Sequence, residues 1–320
     1  MAHDIWDDFF IESLYKKYPK RIQLAHELTD LLFIELESAY RRLRKDVAFT
    51  VEEIAKIAQE WNISLDEITN LATNKVTFTM KSINYVDPSG EEMNEIKNRI
   101  KRLQHFETSP DAECMEVCNK LPRSLTAGFP KLYQFDIFRW AYQYGNSEER
   151  AILSKTKLSK QFLQELTNYS MIIKHVANMS YIWDYRIFDY FVHDVQYFHS
   201  IFRITDKEKE QIKQELLVLL DYLLEVATNG YFPETKKKVT IYISKTKLDT
   251  NYSYFYTEEL KMCRIYVFEK FDIFSFNLDL VNDFRNWMLL KRRTSFQISE
   301  IDAKSRIDFF IKQRELIEAL

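Results

Sequence analysis

The sequence predicts a mainly α, two-domain protein: five short helices within residues 1–72, then a larger helical/α+β domain over 73–320 that carries a small antiparallel sheet. Three observations predict this. Apolar residues recur at helical spacing through the first seventy or so positions and again over about 86–230. Two successive helix starts, at Thr50 and Ser64, are written in capping residues. Beyond residue 236 the pattern changes to runs of alternating aromatic and β-branched residues. At 320 residues the chain also exceeds the roughly 100–200 residues usual for one domain.

In the N-terminal part, Ile5, Trp6, Phe9, Phe10 and Leu14 mark a first amphipathic helix that Pro19 ends. Ile22, Leu24, Leu28, Leu31 and Leu32 mark a second. A third covers Glu35 to Lys45, with Ala39 and Leu43 one turn apart. Thr50 with Glu53 forms a capping box, and Phe49 with Ile54 has the spacing of a hydrophobic staple. Ser64 with Glu67, and Ile63 with Ile68, repeat the device for a fifth helix. Ile54, Ile57, Ala58 and Trp61 line the buried face between them.

In the remainder, Val76, Phe78 and Met80 alternate with polar residues, a short strand signal. Asp87 to Gly90 read as a turn before a helix reaching Phe106. Ser109, Pro110 and Asp111 read as the start of a helix that ends before Pro122. Residues 130–228 read as further helices, the last capped by Thr205 or Asp206. Val239–Ile243, Tyr252–Tyr256 and Cys263–Phe268 read as three strands of an antiparallel sheet, and helices near 277–292 and 302–318 close the chain.

Composition narrows function. The four glycines, Gly90, Gly128, Gly145 and Gly230, lie far apart, so no glycine-rich loop can bring backbone amides to a phosphate. Neither a nucleophile elbow nor a His-Glu-x-x-His zinc motif occurs, and no enzyme activity, metal or cofactor is expected. Cys114, Cys118 and Cys263 are too few and odd in number for a disulfide framework. No apolar run approaches the roughly 18 residues needed to span a bilayer, and no signal-peptide pattern opens the chain, so a cytoplasmic protein is expected. Net charge is −3, and residues 1–72 hold nine basic against 14 acidic side chains. Contact with DNA must then come from a local basic patch.

Leu28–Arg44 resembles the helix-turn-helix of the Cro/repressor-like (Xre) transcriptional regulators, a lambda-repressor-like fold in which a helix, a tight turn and a recognition helix follow at fixed spacing. Phe49–Ile54, Ala55–Trp61 and Ile63–Ile68 resemble that family's fourth and fifth helices. Ser38–Arg44, Phe129–Leu132, Ser295–Ser299, Arg306, Phe309 and Phe310 look like a long two-domain subgroup, for which no site in the C-terminal domain is carried over. The resemblance implies that double-stranded DNA is the partner, that Leu36, Glu37 and Arg41 contact base edges, and that Tyr40, Arg44 and Lys45 contact phosphates. Three positions depart from the pattern: Phe33 stands where the turn often has Gly, Glu35 opens the recognition helix, and Arg42 stands where an apolar residue is commonly buried.

Elsewhere candidate chemistry is thin. Asp189, His193, Asp194 and His199 could approach a metal, but their aromatic neighbours favour a packed helix. Cys114 and Cys118 read as one buried helical face. Lys236–Lys238 and Lys291–Arg293 read as solvated surface. The sequence therefore points to a sequence-specific DNA-binding regulator that reads half-sites as a homodimer held through residues 239–320 and answers an effector ligand or protein. The alternative is a protein-interaction module whose helix-turn-helix-like domain does not bind DNA.

Overall fold

The computed structural model describes residues 3–61, 63, 65, 78–80, 88–144, 152–268 and 271–320. The chain divides into two compact units, Met1–Thr77 and Phe78–Leu320.

The first unit contains α1 (His3–Lys17), α2 (Arg21–Leu32), α3 (Leu36–Leu43) and α4 (Val51–Trp61). Phe10, Leu14, Leu24, Leu28, Ala39, Leu43, Phe49, Ile57 and Trp61 share one core. The predicted capping box forms: Thr50 N donates to Glu53 Oε2 at 2.9 Å, and Glu53 N donates to Thr50 Oγ1 at 3.2 Å. Phe49 and Ile54 both pack on the core, as a staple requires. The fifth-helix box of Ser64 and Glu67 lies outside the described residues.

Two backbone positions define α3. Phe33 closes α2 at φ 56° and ψ 44°, in the left-handed region that a Cβ disfavours. Lys45 closes α3 at φ 65°. There Asp46 N donates to Arg41 O at 2.9 Å and Lys45 N to Arg42 O at 3.0 Å, the paired bonds of a Schellman motif.

The second unit is a mixed α+β fold around a seven-stranded sheet, which corrects the expectation of a mainly α chain with a small antiparallel sheet. Its strands are β1 (Glu113–Cys118), β2 (Asn178–Asp184), β3 (Lys238–Ser244), β4 (Tyr252–Tyr256), β5 (Lys261–Val267), β6 (Phe271–Ser275) and β7 (Ser295–Gln297). Their order is β6-β5-β4-β1-β2-β3-β7. β1, β2 and β3 are mutually parallel, and the other pairings are antiparallel. The segment after Pro110 is therefore strand, not helix. Ser109 Oγ donates to Asp111 Oδ1 at 2.6 Å and closes a turn that leads into β1. Cys114 and Cys118 lie on a strand face, and burial pushes both thiols well above their ordinary value. β1 and β2 escape a periodicity search because parallel strands covered on both faces are short and lack clean polar alternation. The three strands read beyond residue 236 exist, but β3 joins β2 rather than β4.

The helices of this unit are α5 (Pro88–Thr108), α6 (Arg123–Thr126), α7 (Pro130–Tyr144), α8 (Lys160–His175), α9 (Asp189–Ser200), α10 (Asp206–Asn229), α11 (Leu278–Lys291) and α12 (Ala303–Glu318). Pro88 to Gly90 begin α5 instead of forming a separate turn, since proline suits the first helical position. Thr205, the cap of α10, forms a full capping box with Glu208. Glu215 on α10 accepts from the amides of Lys131 and Leu132 at 2.8 and 3.1 Å, capping α7 from outside. One face of the sheet, with Cys114, Tyr181, Trp183, Ile241 and Phe255, builds the large core with most helices. Met115, Val117, Ile182 and Tyr254 face the other way and pack with Met288 of α11. In the expected strand at Val76–Met80, Thr79 forms an isolated antiparallel bridge to Phe274 of β6, while Val76 and Thr77 are outside the described residues.

Candidate nucleic-acid interface

The chemistry of α3 follows from which of its faces is buried. Ala39 and Leu43, one turn apart, are buried at 0% and 7% exposure and pin the helix to α2 and α4. The opposite face must then point outward, and it carries Glu37 and Arg41, spaced one turn apart and both exposed. Arg44 continues this face: its Nη2 lies 2.8 Å from Glu37 Oε1, and its Nε 2.9 Å from Asp46 Oδ2.

The other expected contact residues are placed differently from one another. Leu36 is half-buried and packs on the core, so only part of its side chain reaches solvent. Tyr40 is also half-buried against that core, with the Arg21 guanidinium 5.6 Å from its ring centroid. Lys45 is exposed and pairs with Asp8 of α1. The Arg41 side chain has no ion-pair or hydrogen-bond partner among the described residues, and Arg44 and Lys45 are each paired with acids.

Arg42 resolves the departure noted in the sequence. Its guanidinium grips Glu53 of α4 with a fork, Nη2 to Oε1 at 2.6 Å and Nε to Oε2 at 3.1 Å. A buried apolar residue is replaced by a bidentate ion pair, while Leu43 fills the core. Burial alone would raise the Glu53 carboxyl, but Arg42 and the Thr50 amide and hydroxyl outweigh it and hold the carboxyl below its ordinary value. Glu53 thus joins two tasks, capping α4 and locking α3 to it.

The acidic partners Glu37, Asp46 and Asp8 were not anticipated individually, although the acidic balance of residues 1–72 signalled that any cation there would be contested. In the second unit, Asp194 pairs with Arg139, Asp189 with Arg186, and His199 with Asp206. The acids of the expected packed helix are therefore committed to these partners. In the basic run 291–293, Lys291 lies over Trp287 at 5.3 Å and Arg292 over Tyr242 at 5.3 Å.

A family model described as the BetR domain matches residues 14–107. That is a helix-turn-helix-like domain, and the match is consistent with a regulatory role. It covers less than a third of the chain and runs from α1 of the first unit into α5 of the second. No curated protein and no solved structure matches the chain. No helix among the described residues is long and apolar enough to cross a membrane.

Proposed function

We propose that this chain is a sequence-specific DNA-binding transcriptional regulator of the Cro/repressor-like type, which reads the major groove with α3. The observation that carries this reading is the exposure of Glu37 and Arg41 on one face of a helix whose opposite face is buried through Ala39 and Leu43. An arginine can pair bidentately with guanine, and a carboxylate can accept from cytosine. The BetR match over residues 14–107 is consistent with the regulatory part of this reading.

A homodimer would set two such helices on two half-sites about 34–36 Å apart. Ile307 and Ile311, one turn apart on α12 and 52% and 50% exposed, support self-association through the C-terminal domain. Phe309 and Phe310, by contrast, are consumed by the core. Residues 239–320 supply most of the sheet, so deleting them would destroy the unit; Ile307→Lys with Ile311→Lys, followed by light scattering, is the informative test. A wild-type dimer that the double variant makes monomeric supports this interface, and a monomeric wild type or a dimeric variant removes it.

The protein-interaction alternative is favoured by the pairing of Arg44 and Lys45 with acids. Retention of the full chain on mixed genomic duplex at low salt, followed by a genome-wide footprint of the tagged protein, separates the two. A discrete set of protected sites supports the regulator; absence of retention at low salt sinks it.

A further inference from the structure

The second unit holds a cleft of about 770 Å³, counting space open to solvent, at the carboxyl end of β1. There β1 is flanked by β2 running parallel and β4 running antiparallel. The chain adds β2 and β3 on one side of β1 and then returns to place β4 on the other, and in open sheets ligands seat outside the carboxyl ends of strands where the strand order reverses in this way. The floor is a polar rung across the sheet, in which Glu116, Ser253 and Arg264 are register partners on β1, β4 and β5. Arg264 Nε donates to Ser253 Oγ at 2.8 Å and Nη2 to Glu116 Oε1 at 2.9 Å, while Ser124 Oγ donates to Glu116 Oε2 at 2.8 Å.

The charges of the lining are unequal. Arg99, Lys120, Arg123, Arg139 and Arg264 face Glu116, Asp136 and Asp272, a surplus of two cations within the lining. Asp194 and Glu95 hold Arg139 and Arg99 from outside it and balance that surplus. Arg99 is only 3% exposed, and its Nη2 lies 2.9 Å from Asp272 Oδ2. Yet neither atom makes a hydrogen bond of acceptable geometry among the described residues. Burying ions costs several kcal/mol each where apolar packing would serve stability at least as well. A buried set of charges that faces a cleft is therefore better explained by a ligand than by folding. Around the cations stand rings: Tyr190, Tyr252 and Tyr266 line the cleft, with Lys120 and Arg123 lying 4.9 and 5.3 Å from the Tyr266 centroid.

We propose that this cleft binds a small phosphate monoester carrying a planar ring, of the nucleoside monophosphate class, with the phosphate among the arginines and the ring among the tyrosines. A phosphate monoester brings about 1.5–2 negative charges at neutral pH, with acceptor oxygens for the orphaned Arg99 Nη2 and the neighbouring guanidinium groups of the lining. Guanidinium forks suit its oxygens, and tyrosine faces suit a base. The proposal concerns binding alone and holds whether or not α3 engages DNA.

Calorimetric titration of the full chain tests it with four probes: adenosine 5′-monophosphate, adenosine, inorganic phosphate and benzoate. The expected result is saturable one-to-one binding of the monophosphate, with adenosine and inorganic phosphate each at least ten-fold weaker and benzoate weaker than the monophosphate. Lys120→Gln, at the edge of the cleft, should weaken the monophosphate about ten-fold while the melting temperature stays put. Tyr252→Leu should weaken the monophosphate but leave inorganic phosphate unchanged. No saturable binding of the monophosphate at millimolar concentration overturns the proposal, as does binding that neither variant alters. Benzoate binding as tightly as the monophosphate overturns the choice of phosphate, and inorganic phosphate binding as tightly overturns the role of the rings.

Discussion

Arg44 and Glu37 close an exposed ion pair of 2.8 Å along the outward face of α3, so a cation suited to a phosphate is already held by a carboxylate of the same helix. Exposed pairs are screened by water and contribute little, so a phosphate can displace Glu37 at a modest cost. Glu37→Gln should therefore modestly raise affinity for random duplex at low salt. Fluorescence anisotropy with a mixed-sequence duplex measures this. An unchanged affinity would mean that Arg44 does not face DNA.

Neutralising Arg44 and Lys45 together should affect specific and random DNA alike. Each phosphate contact releases about one counterion, so the log–log salt slope should fall by roughly two. Binding measured over a series of salt concentrations gives that slope directly, and an unmoved slope excludes both residues as phosphate contacts.

The Arg41 side chain is exposed and has no ion-pair or hydrogen-bond partner among the described residues, so a base edge can take its donors without breaking a protein contact. Arg41→Ala should cost about 1–3 kcal/mol on the specific site and relax preference at one base position. Selection from a randomised duplex pool, for wild type and variant, reads both effects. An identical preference would remove Arg41 from base readout.

Phe33 sits at φ 56° and is 86% exposed, so its ring is not what holds the turn. A left-handed backbone costs a residue with a Cβ about 1–2 kcal/mol. Glycine removes that strain but costs about 0.4–1 kcal/mol through the freer unfolded chain. The Lys56 ammonium 4.7 Å from the ring centroid adds a small exposed contact that would be lost. Phe33→Gly should leave stability unchanged or raise it by up to about 1 kcal/mol, whereas Phe33→Val should lower it, because a β-branched side chain tolerates this conformation least. Urea unfolding of both variants gives the order, and a reversed order would refute the strain.

Glu53 links stability to acidity. Its folded-state carboxyl lies below the ordinary value of 4.5, held there by Arg42 and Thr50 against burial. A depressed value means the stabilisation is present above about pH 4.5 and is lost as pH falls through the folded-state value. Glu53→Gln should therefore be less stable than wild type at pH 7, and the gap should narrow toward pH 3. Unfolding midpoints at the two pH values decide it; a gap that widens in acid would contradict the sign.

The first four helices of the N-terminal unit were legible because their information is local. The Thr50–Glu53 box, the Phe49–Ile54 staple and the Ala39–Leu43 stripe each lie within one or two helical turns, and their hydrogen bonds and packing form between neighbours in sequence. The sequence likewise determined α10 through Thr205, and it marked three of the seven strands through aromatic alternation. Sheet membership was another matter. β1 and β2 have six and seven residues, are mostly buried, and acquire their partners across tens of residues, so no local period announces them. Partner choice for charges was equally hidden. That Arg42 grips Glu53, that Lys45 meets Asp8, and that Arg264 joins Glu116 across 148 positions depends on which backbones the cores bring together. Helical periodicity and caps are properties of a segment, and a sequence fixes them by itself. Strand order and ion pairing are properties of distant surfaces meeting, and only the tertiary structure decides them.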